Sequence, residues 1–434
     1  MIKIIGAGLA GTEAAYFLAN NNIRVKLYEM RPHKMTPAHQ TSNFAELVCS
    51  NSLRSNDPHN AVGLLKEEMR EFNSLIMEAA KYAEIKAGSS LAVDRELFSN
   101  YIENKIRNHP LIEIVNEEVK DINLDELTVI AAGPLASDLL VNNIIEKLEI
   151  KDLHFFDAIA PIIKKDSIDM NICYLKSRYD KGEASYINCP MNKAQYEKFY
   201  NALVNATKAE LKAFEKDVFD ACMPVEVIAS KGIDTLLYGP LKPVGLEQNG
   251  KRYHAVVQLR QDDVKSTMYN IVGFQTNMTY KAQKEVISLI PGLEKAEIFR
   301  YGVMHRNTYI ESPKILNNAF QVKAYPKLFF AGQISGVEGY VESAASGLNV
   351  AIQITNLINN GVIKPLPEET MIGALANYIA SYNSNFVPMN ANLGLLPELD
   401  KRYNKKLRKE KYYERAISNL KIFKEEFYES LKWF

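Results

Sequence analysis

Apolar positions at the amino end resolve into a strand, a helix and a second strand. Ile2, Ile4 and Ile5 form a short apolar run that stops at Gly6. Ala14, Phe17 and Leu18 then recur at helical spacing, which predicts a helix from about Ala10 to Asn20. Asn20, Asn21 and Asn22 end it, and Arg24 to Tyr28 reads as a second strand closing on Glu29. From His33 to about Pro58 the chain is polar and irregular, and Ala61 to Ala83 reads as one helix with Leu64, Leu65, Met69 and Phe72 on a face. Leu127 to Ala131 and Leu328 to Ala331 are further apolar strands, each running into glycine. Asp152 to about Gly292 lacks the strand–helix–strand rhythm and mixes short strands with Tyr- and Lys-rich helices. A charged helix is predicted from about Leu399 to the end.

This pattern predicts an α/β chain: a Rossmann-like, glutathione-reductase-like domain from both ends, roughly residues 1–150 and 295–434. A smaller α/β domain, residues 151–294, interrupts it. The length of 434 residues agrees with more than one domain.

The first turn carries candidate chemistry. Gly6-Ala7-Gly8-Leu9-Ala10-Gly11 is a G-x-G-x-x-G sequence with a strand before it, a helix after it and Glu29 closing the next strand. Gly6 allows the tight turn, Gly8 admits a pyrophosphate to the backbone, and Gly11 lets helix and strand approach. Glu29 is positioned to accept from an adenosine ribose. A glycine turn in an unrelated α/β protein is the competing reading. The placement at the amino end, with a Gly-rich return from Gly332 to Gly347, favours FAD over NAD. No second fingerprint marks a separate nicotinamide-nucleotide domain.

Composition adds little to this. Lys plus Arg and Asp plus Glu are 52 each, so a nucleic-acid partner must meet a local basic patch. The four cysteines form no Cys-x-x-Cys pair, so no metal site is expected, and they suit a reducing cytosol. No apolar run is long enough for a membrane span and the first residues leave no room for a signal peptide, so a cytoplasmic location is expected.

Several longer motifs carry a resemblance. His39-Gln40-Thr41, FAELVCSNSLRS (Phe44 to Ser55), NAVGLLKEEMR (Asn60 to Arg70) and LAVDRELFS (Leu91 to Ser99) come first. FFDAIAP (Phe155 to Pro161), SRYDKGEA (Ser177 to Ala184) and VVQLRQD (Val256 to Asp262) follow. YGVMHRNTYI (Tyr301 to Ile310) and FAGQISGVEGYVESAASGL (Phe330 to Leu348) complete the series. Together they resemble the bacterial folate- and FAD-dependent tRNA uracil-5-methyltransferases. Departures such as Asp220-Ala221 before Cys222, and Lys231 where arginine is commoner, suggest a divergent member.

The resemblance implies formation of 5-methyluridine in structured RNA, in a tRNA T-loop or in 23S rRNA. It implies bound FAD, with methylenetetrahydrofolate and NAD(P)H as co-substrates. It assigns Cys222 as the nucleophile that activates the uracil and Cys49 as a second functional cysteine, while Cys173 and Cys189 match nothing and read as structural. Gly133, Gly332, Gln333, Gly336, Glu338, Gly339 and Tyr340 fall in segments expected to border the flavin. Arg95 and Arg306 lie in motifs that could face RNA. Lys405, Lys406 and Arg408 head a basic, tyrosine-containing terminal stretch that fits RNA or a solvated helix equally. The competing classes are another flavoprotein that modifies RNA, a small-molecule flavin oxidoreductase and a non-catalytic flavin-bound RNA chaperone.

Overall fold

Ile2–Ile5 enters the middle of a six-stranded sheet whose order is Gln321–Val322, Tyr325–Phe330, Thr128–Ile130, Ile2–Ile5, Val25–Glu29 and Ile112–Asn116. Every neighbouring pair is parallel except the edge hairpin formed by Gln321–Val322 and Tyr325–Phe330. The carboxyl ends of five adjacent strands therefore open on one edge, where ligands of such sheets bind. The computed structural model describes the chain except residues 151, 182, 210–222, 384–385 and 432–434, and except the side chains of 152–157, 305, 306 and 405.

Helix Leu9–Asn20 lies against the sheet and against the long helix Tyr340–Asn360. Their approach depends on a missing side chain: a Cβ at Gly347 would stand 2.2 Å from the Ala10 carbonyl oxygen. The amino- and carboxyl-terminal parts of the chain thus share one hydrophobic core, with Ile4, Leu18, Phe330 and Leu348 fully buried in it.

Residues from Ile162 to Arg300 build a second sheet, in the order Tyr174–Leu175, Tyr186–Met191, Ala255–Gln261, Met268–Ile271, Ile162–Lys164 and Ile298–Arg300. All its pairs are antiparallel, which explains the absent strand–helix–strand rhythm. A separate cluster around Ile187, Phe199, Leu259 and Phe274 fills it. The antiparallel ladder of Asp152–Ala158 with Met304–Ile310 stands where the chain passes between the two sheets.

The structure corrects three boundaries. The predicted helix Ala61 to Ala83 is two helices, Ala61–Glu71 and Leu75–Tyr82. Asn73 takes φ 55°, and the Ser74 side chain caps the second helix through the Met77 amide. The stretch between His33 and Pro58 contains a strand, Ser52–Ser55, paired with Ser90–Val93. The terminal helix begins at Lys405 under an Asn404 cap rather than near Leu399.

Two buried carboxyls cap helices from a distance. Glu68 accepts from the Met371 and Ile372 amides at 2.7 and 2.9 Å, and Glu13 accepts from Ile76 at 2.9 Å. Burial pushes Glu68 up to about 8 and Glu13 up to about 7, despite these amides. A carboxyl raised in the folded state keeps its proton there while the unfolded chain releases it. Its stabilisation is therefore complete below the ordinary value of 4.5 and is lost as pH rises through about 8. Scanning calorimetry should show the melting temperature falling across that interval, with a flatter slope in Glu68→Gln. An unchanged slope would remove Glu68 from this explanation.

Candidate functional site: a dinucleotide cleft beside Cys49

The cleft lies beyond the carboxyl ends of the parallel strands and encloses about 1010 Å³, counting space open to solvent. Gly6, Gly8, Leu9 and Ala10 form one wall, Glu29 and Arg31 the next, and Ala131–Ser137 a third. Gly332, Gln333, Tyr340 and Ser343 close the remaining side.

Two helices begin on this edge and differ in a telling way. Asp138–Leu148 is capped by its own Ser137, whose hydroxyl accepts from the Leu140 amide. Leu9–Asn20 starts at Gly8 with no side-chain cap and no acid in its first turn. Its leading amides therefore face the cleft without a protein acceptor, and an anion is the natural partner there. Nothing lies within 4 Å of where a Cβ on Gly8 would stand, so the space above that turn is cleft. These features fit the diphosphate of a dinucleotide. Gly6 at φ +104° sits with its Cβ position 2.5 Å from the Ala131 carbonyl, and that of Gly11 is 1.8 Å from the Gly6 carbonyl. Gly6 and Gly11 thus pack the turn, while Gly8 keeps it open.

Glu29 is buried and already well used. Its oxygens accept from the Ala7 amide at 3.1 Å, the Arg31 amide at 3.0 Å, and the Arg31 guanidinium at 2.9 and 3.1 Å. Burial alone would raise this carboxyl, but Arg31 and the amides outweigh it and hold Glu29 below its ordinary value. A ribose hydroxyl at Glu29 would thus meet a carboxylate pre-oriented by Arg31. Sequence reasoning missed Arg31; its signal was a cation two residues after the acid, in Glu29-Met30-Arg31. His39 also lines the cleft, with Nδ1 2.6 Å from the Thr36 hydroxyl, and burial followed by the Arg31 charge pushes it down to about 4. The imidazole is neutral at physiological pH.

At the opposite end, the Tyr340 hydroxyl accepts from the amides of Cys49 and Ser50 at 2.7 and 3.2 Å. Burial, then the neighbouring Cys49 thiol, push the Tyr340 hydroxyl well above its ordinary value, so it stays protonated. The same loop is held by the second sheet. Arg260 donates to Asn51 Oδ1 at 3.1 Å and Ser50 Oγ at 2.8 Å, and Asn51 donates to the Gln261 carbonyl at 2.9 Å. Arg95 pairs with Asp262 at 3.1 Å and donates to the Leu47 carbonyl. Cys49 is thus half-buried on a loop fixed by the head of the helix Tyr340–Asn360 and by the second sheet.

Of the other expected cofactor residues, Ala7 and Gly11 lie under the turn rather than on the cleft wall. Gly133, at φ +68°, and Gly332 line the cleft. The Gly336 Cβ position faces the Phe386 ring, and that of Gly339 faces Glu342. Gln333 donates to Glu338 at 2.5 Å. Arg95 is committed to internal contacts, whereas Lys406 and Arg408 are exposed at the head of the terminal helix. Cys222 and the side chains of Arg306 and Lys405 lie outside the described residues. Cys173 and Cys189 are buried with sulfurs 3.3 Å apart, away from this cleft. Among the described residues no cluster has a metal-ligand arrangement, and no helix is long and apolar enough to cross a membrane.

Residues 1–361 match the family described as glucose inhibited division protein A. A protein of Acholeplasma laidlawii named methylenetetrahydrofolate–tRNA-(uracil-5-)-methyltransferase TrmFO is 64% identical, covering 98% of this chain and 99% of its own. Proteins of the same name from Staphylococcus saprophyticus and Listeria monocytogenes are 55% and 56% identical, each covering 98% of this chain and 99% of its own. The solved structure of Aquifex aeolicus GidA superposes with a TM-score of 0.69 at 16% identity, covering 99% of this chain and 75% of that one, a likeness of fold. The chain belongs to the glucose inhibited division protein A family, and within it to the methylenetetrahydrofolate–tRNA-(uracil-5-)-methyltransferases.

Proposed function

We propose that this protein forms 5-methyluridine in tRNA, using bound FAD and the one-carbon unit of methylenetetrahydrofolate. The observation that carries the reading is the uncapped Gly8 turn opening onto the same cleft as Tyr340, which holds the Cys49 loop. The relatives' names specify tRNA, and none of those reported supports 23S rRNA as the target. Residues 1–150 with the segment after Arg300 form the cofactor domain in this reading and 151–300 the substrate domain; the expected boundary at 294/295 shifts because Ile298–Arg300 is an edge strand of the second sheet, and the two hydrophobic clusters support the division.

The amides at Gly8, Leu9 and Ala10 would hold the FAD diphosphate, and Glu29, steadied by Arg31, would accept from the adenosine ribose. FAD, when bound, would supply the redox chemistry that brings the one-carbon unit of folate to the methyl level, with NAD(P)H as the reductant. The chain's own part is activation of the base. Cys222 adds its thiolate to C6 of the uracil, which makes C5 nucleophilic. After C5 has gained the carbon, Cys49 removes the C5 proton. The electron pair restores the 5,6 double bond and expels Cys222 as thiolate. Tyr340, protonated and bonded to two amides of the Cys49 loop, orients that base. The exposed Lys406 and Arg408 suit contacts to RNA phosphates.

Tyr340→Phe leaves the Cys49 and Ser50 amides without their acceptor. The variant should keep its flavin absorbance while kcat for methyl transfer falls between about tenfold and a hundredfold, since small displacements at a reacting group cost that much. A wild-type kcat would show that Tyr340 does not position Cys49. The target is tested by supplying unmodified tRNA and 23S rRNA fragments in parallel with labelled methylenetetrahydrofolate. Label in tRNA alone is expected, and label in the rRNA fragment alone would overturn the assignment.

A further inference from the structure

The edge strand Ile298–Arg300 carries a bulge. Ile298 pairs with Ile163 and Arg300 with the adjacent Ile162, so Phe299 is an extra residue without a partner opposite. Phe299 is 57% exposed. Beside this strand, Tyr280 and Tyr301 are stacked with ring centroids 4.6 Å apart and planes at 27°, and Tyr280 is also 57% exposed. Lys208, Lys281 and Lys284 stand exposed on the neighbouring segments. Lys281 meets Glu285 only at 3.9 Å, and nearby Glu297 is taken up by Lys164 at 2.9 Å.

This surface adjoins the candidate site through Arg300. Arg300, next to Phe299, reaches the Ala38 carbonyl at 3.1 Å, beside the cleft residue His39. Thr279, the cap of the helix headed by Tyr280, donates its amide to Thr207 at 2.9 Å, and Ala209 donates to Asn277 at 2.8 Å. Exposed aromatic faces already stacked, and flanked by lysines, match what unpaired nucleotides require: flat surfaces for bases and cations for the backbone. Protein interfaces also favour aromatic side chains but are depleted of lysine, whereas lysines surround these rings.

We propose that Phe299 and the Tyr280–Tyr301 pair form a stacking platform for unpaired bases of the RNA substrate next to the target uridine, with Lys208 and Lys284 meeting adjacent phosphates. This rests on the RNA-modifying function proposed above. Phe299 and Tyr280 are exposed, so their replacement leaves the core intact. Tyr280→Leu and Phe299→Ser, in the full flavin-loaded chain, should each raise the Kd for labelled unmodified tRNA roughly tenfold. KM for methyl transfer should follow, with kcat changed much less. Tyr280→Phe, which keeps the ring, should bind as the wild type does. Lys284→Gln should reduce the slope of log Kd against log salt by roughly one unit. Bound flavin content serves as the folding control.

Unchanged tRNA affinity in Tyr280→Leu and Phe299→Ser, with an active wild type, would overturn the platform alone. Loss of self-association in these variants at constant tRNA affinity would assign the face to a second copy of this chain and also overturn it. A wild type that methylates no RNA would instead remove the function on which the platform rests.

Discussion

Cys222→Ala is expected to yield a folded protein that retains its flavin and transfers no methyl group to tRNA. The loss should be on the order of a million-fold, as when a covalent nucleophile is removed from other enzymes. The physical reason is that C5 of uracil is a poor nucleophile until a thiolate has added to C6. Of the other cysteines, Cys173 and Cys189 are buried in the second hydrophobic cluster, and Cys49 is assigned the proton transfer. Flavin absorbance distinguishes this result from unfolding, and rapid-quench assays measure the residual rate. Residual transfer within tenfold of the wild type would assign the nucleophile elsewhere, with Cys49 first in line. A non-catalytic chaperone role makes the opposite prediction, since it needs no thiol at position 222.

Gly11→Ala should have the second largest effect, through the cofactor instead of the substrate. The added methyl would stand 1.8 Å from the Gly6 carbonyl oxygen and 3.4 Å from the Ala131 Cβ. Neither the turn nor the central strand can yield without moving the amides that meet the diphosphate. Overpacking at such a site costs about 1–3 kcal/mol, or more where backbone is struck. Purified Gly11→Ala is therefore expected to be colourless or weakly loaded and to melt lower than the wild type. Gly347→Ala strikes the Ala10 carbonyl from the opposite side, at 2.2 Å, and should behave similarly. A fully flavin-loaded Gly11→Ala of normal stability would contradict the close packing described for this turn.

The fingerprint unit was legible because every local signal agreed there. Strand periodicity, helix periodicity, glycine spacing and a terminal acid all point to the structure found from Ile2 to Glu29. The break at Asn73 was hidden because the apolar spacing continues through it; a left-handed residue and a serine cap interrupt the backbone without disturbing the pattern. Glu13 and Glu68 look like solvated helix positions in the sequence, yet both are buried as caps for helices distant in the chain. Such roles depend on tertiary neighbours that no local window contains. Arg31 escaped notice for a related reason: an arginine near an acid is common, and only the fold shows that its fork closes on Glu29.

The resemblance in motifs also had structural content beyond family membership. FAELVCSNSLRS supplies Cys49, Ser50 and Asn51, and VVQLRQD supplies Arg260 and Asp262, which hold that loop. YVESAASGL begins with Tyr340, the acceptor for the Cys49 amide. Motifs distant in sequence therefore converge on one loop. Of these residues the motifs marked only Cys49 and Tyr340 as candidates, and the hydrogen bonds add Ser50, Asn51, Arg260 and Asp262 with a physical task for each.

The most direct measurement is a single-turnover reaction with the bound flavin already reduced, methylenetetrahydrofolate carrying isotope in its one-carbon unit, and unmodified tRNA. The account predicts isotope in 5-methyluridine from the wild type, detected by nucleoside mass spectrometry, and none from Cys222→Ala. Flavin that reoxidises without isotope entering the RNA would contradict it and leave an oxidoreductase acting on another substrate.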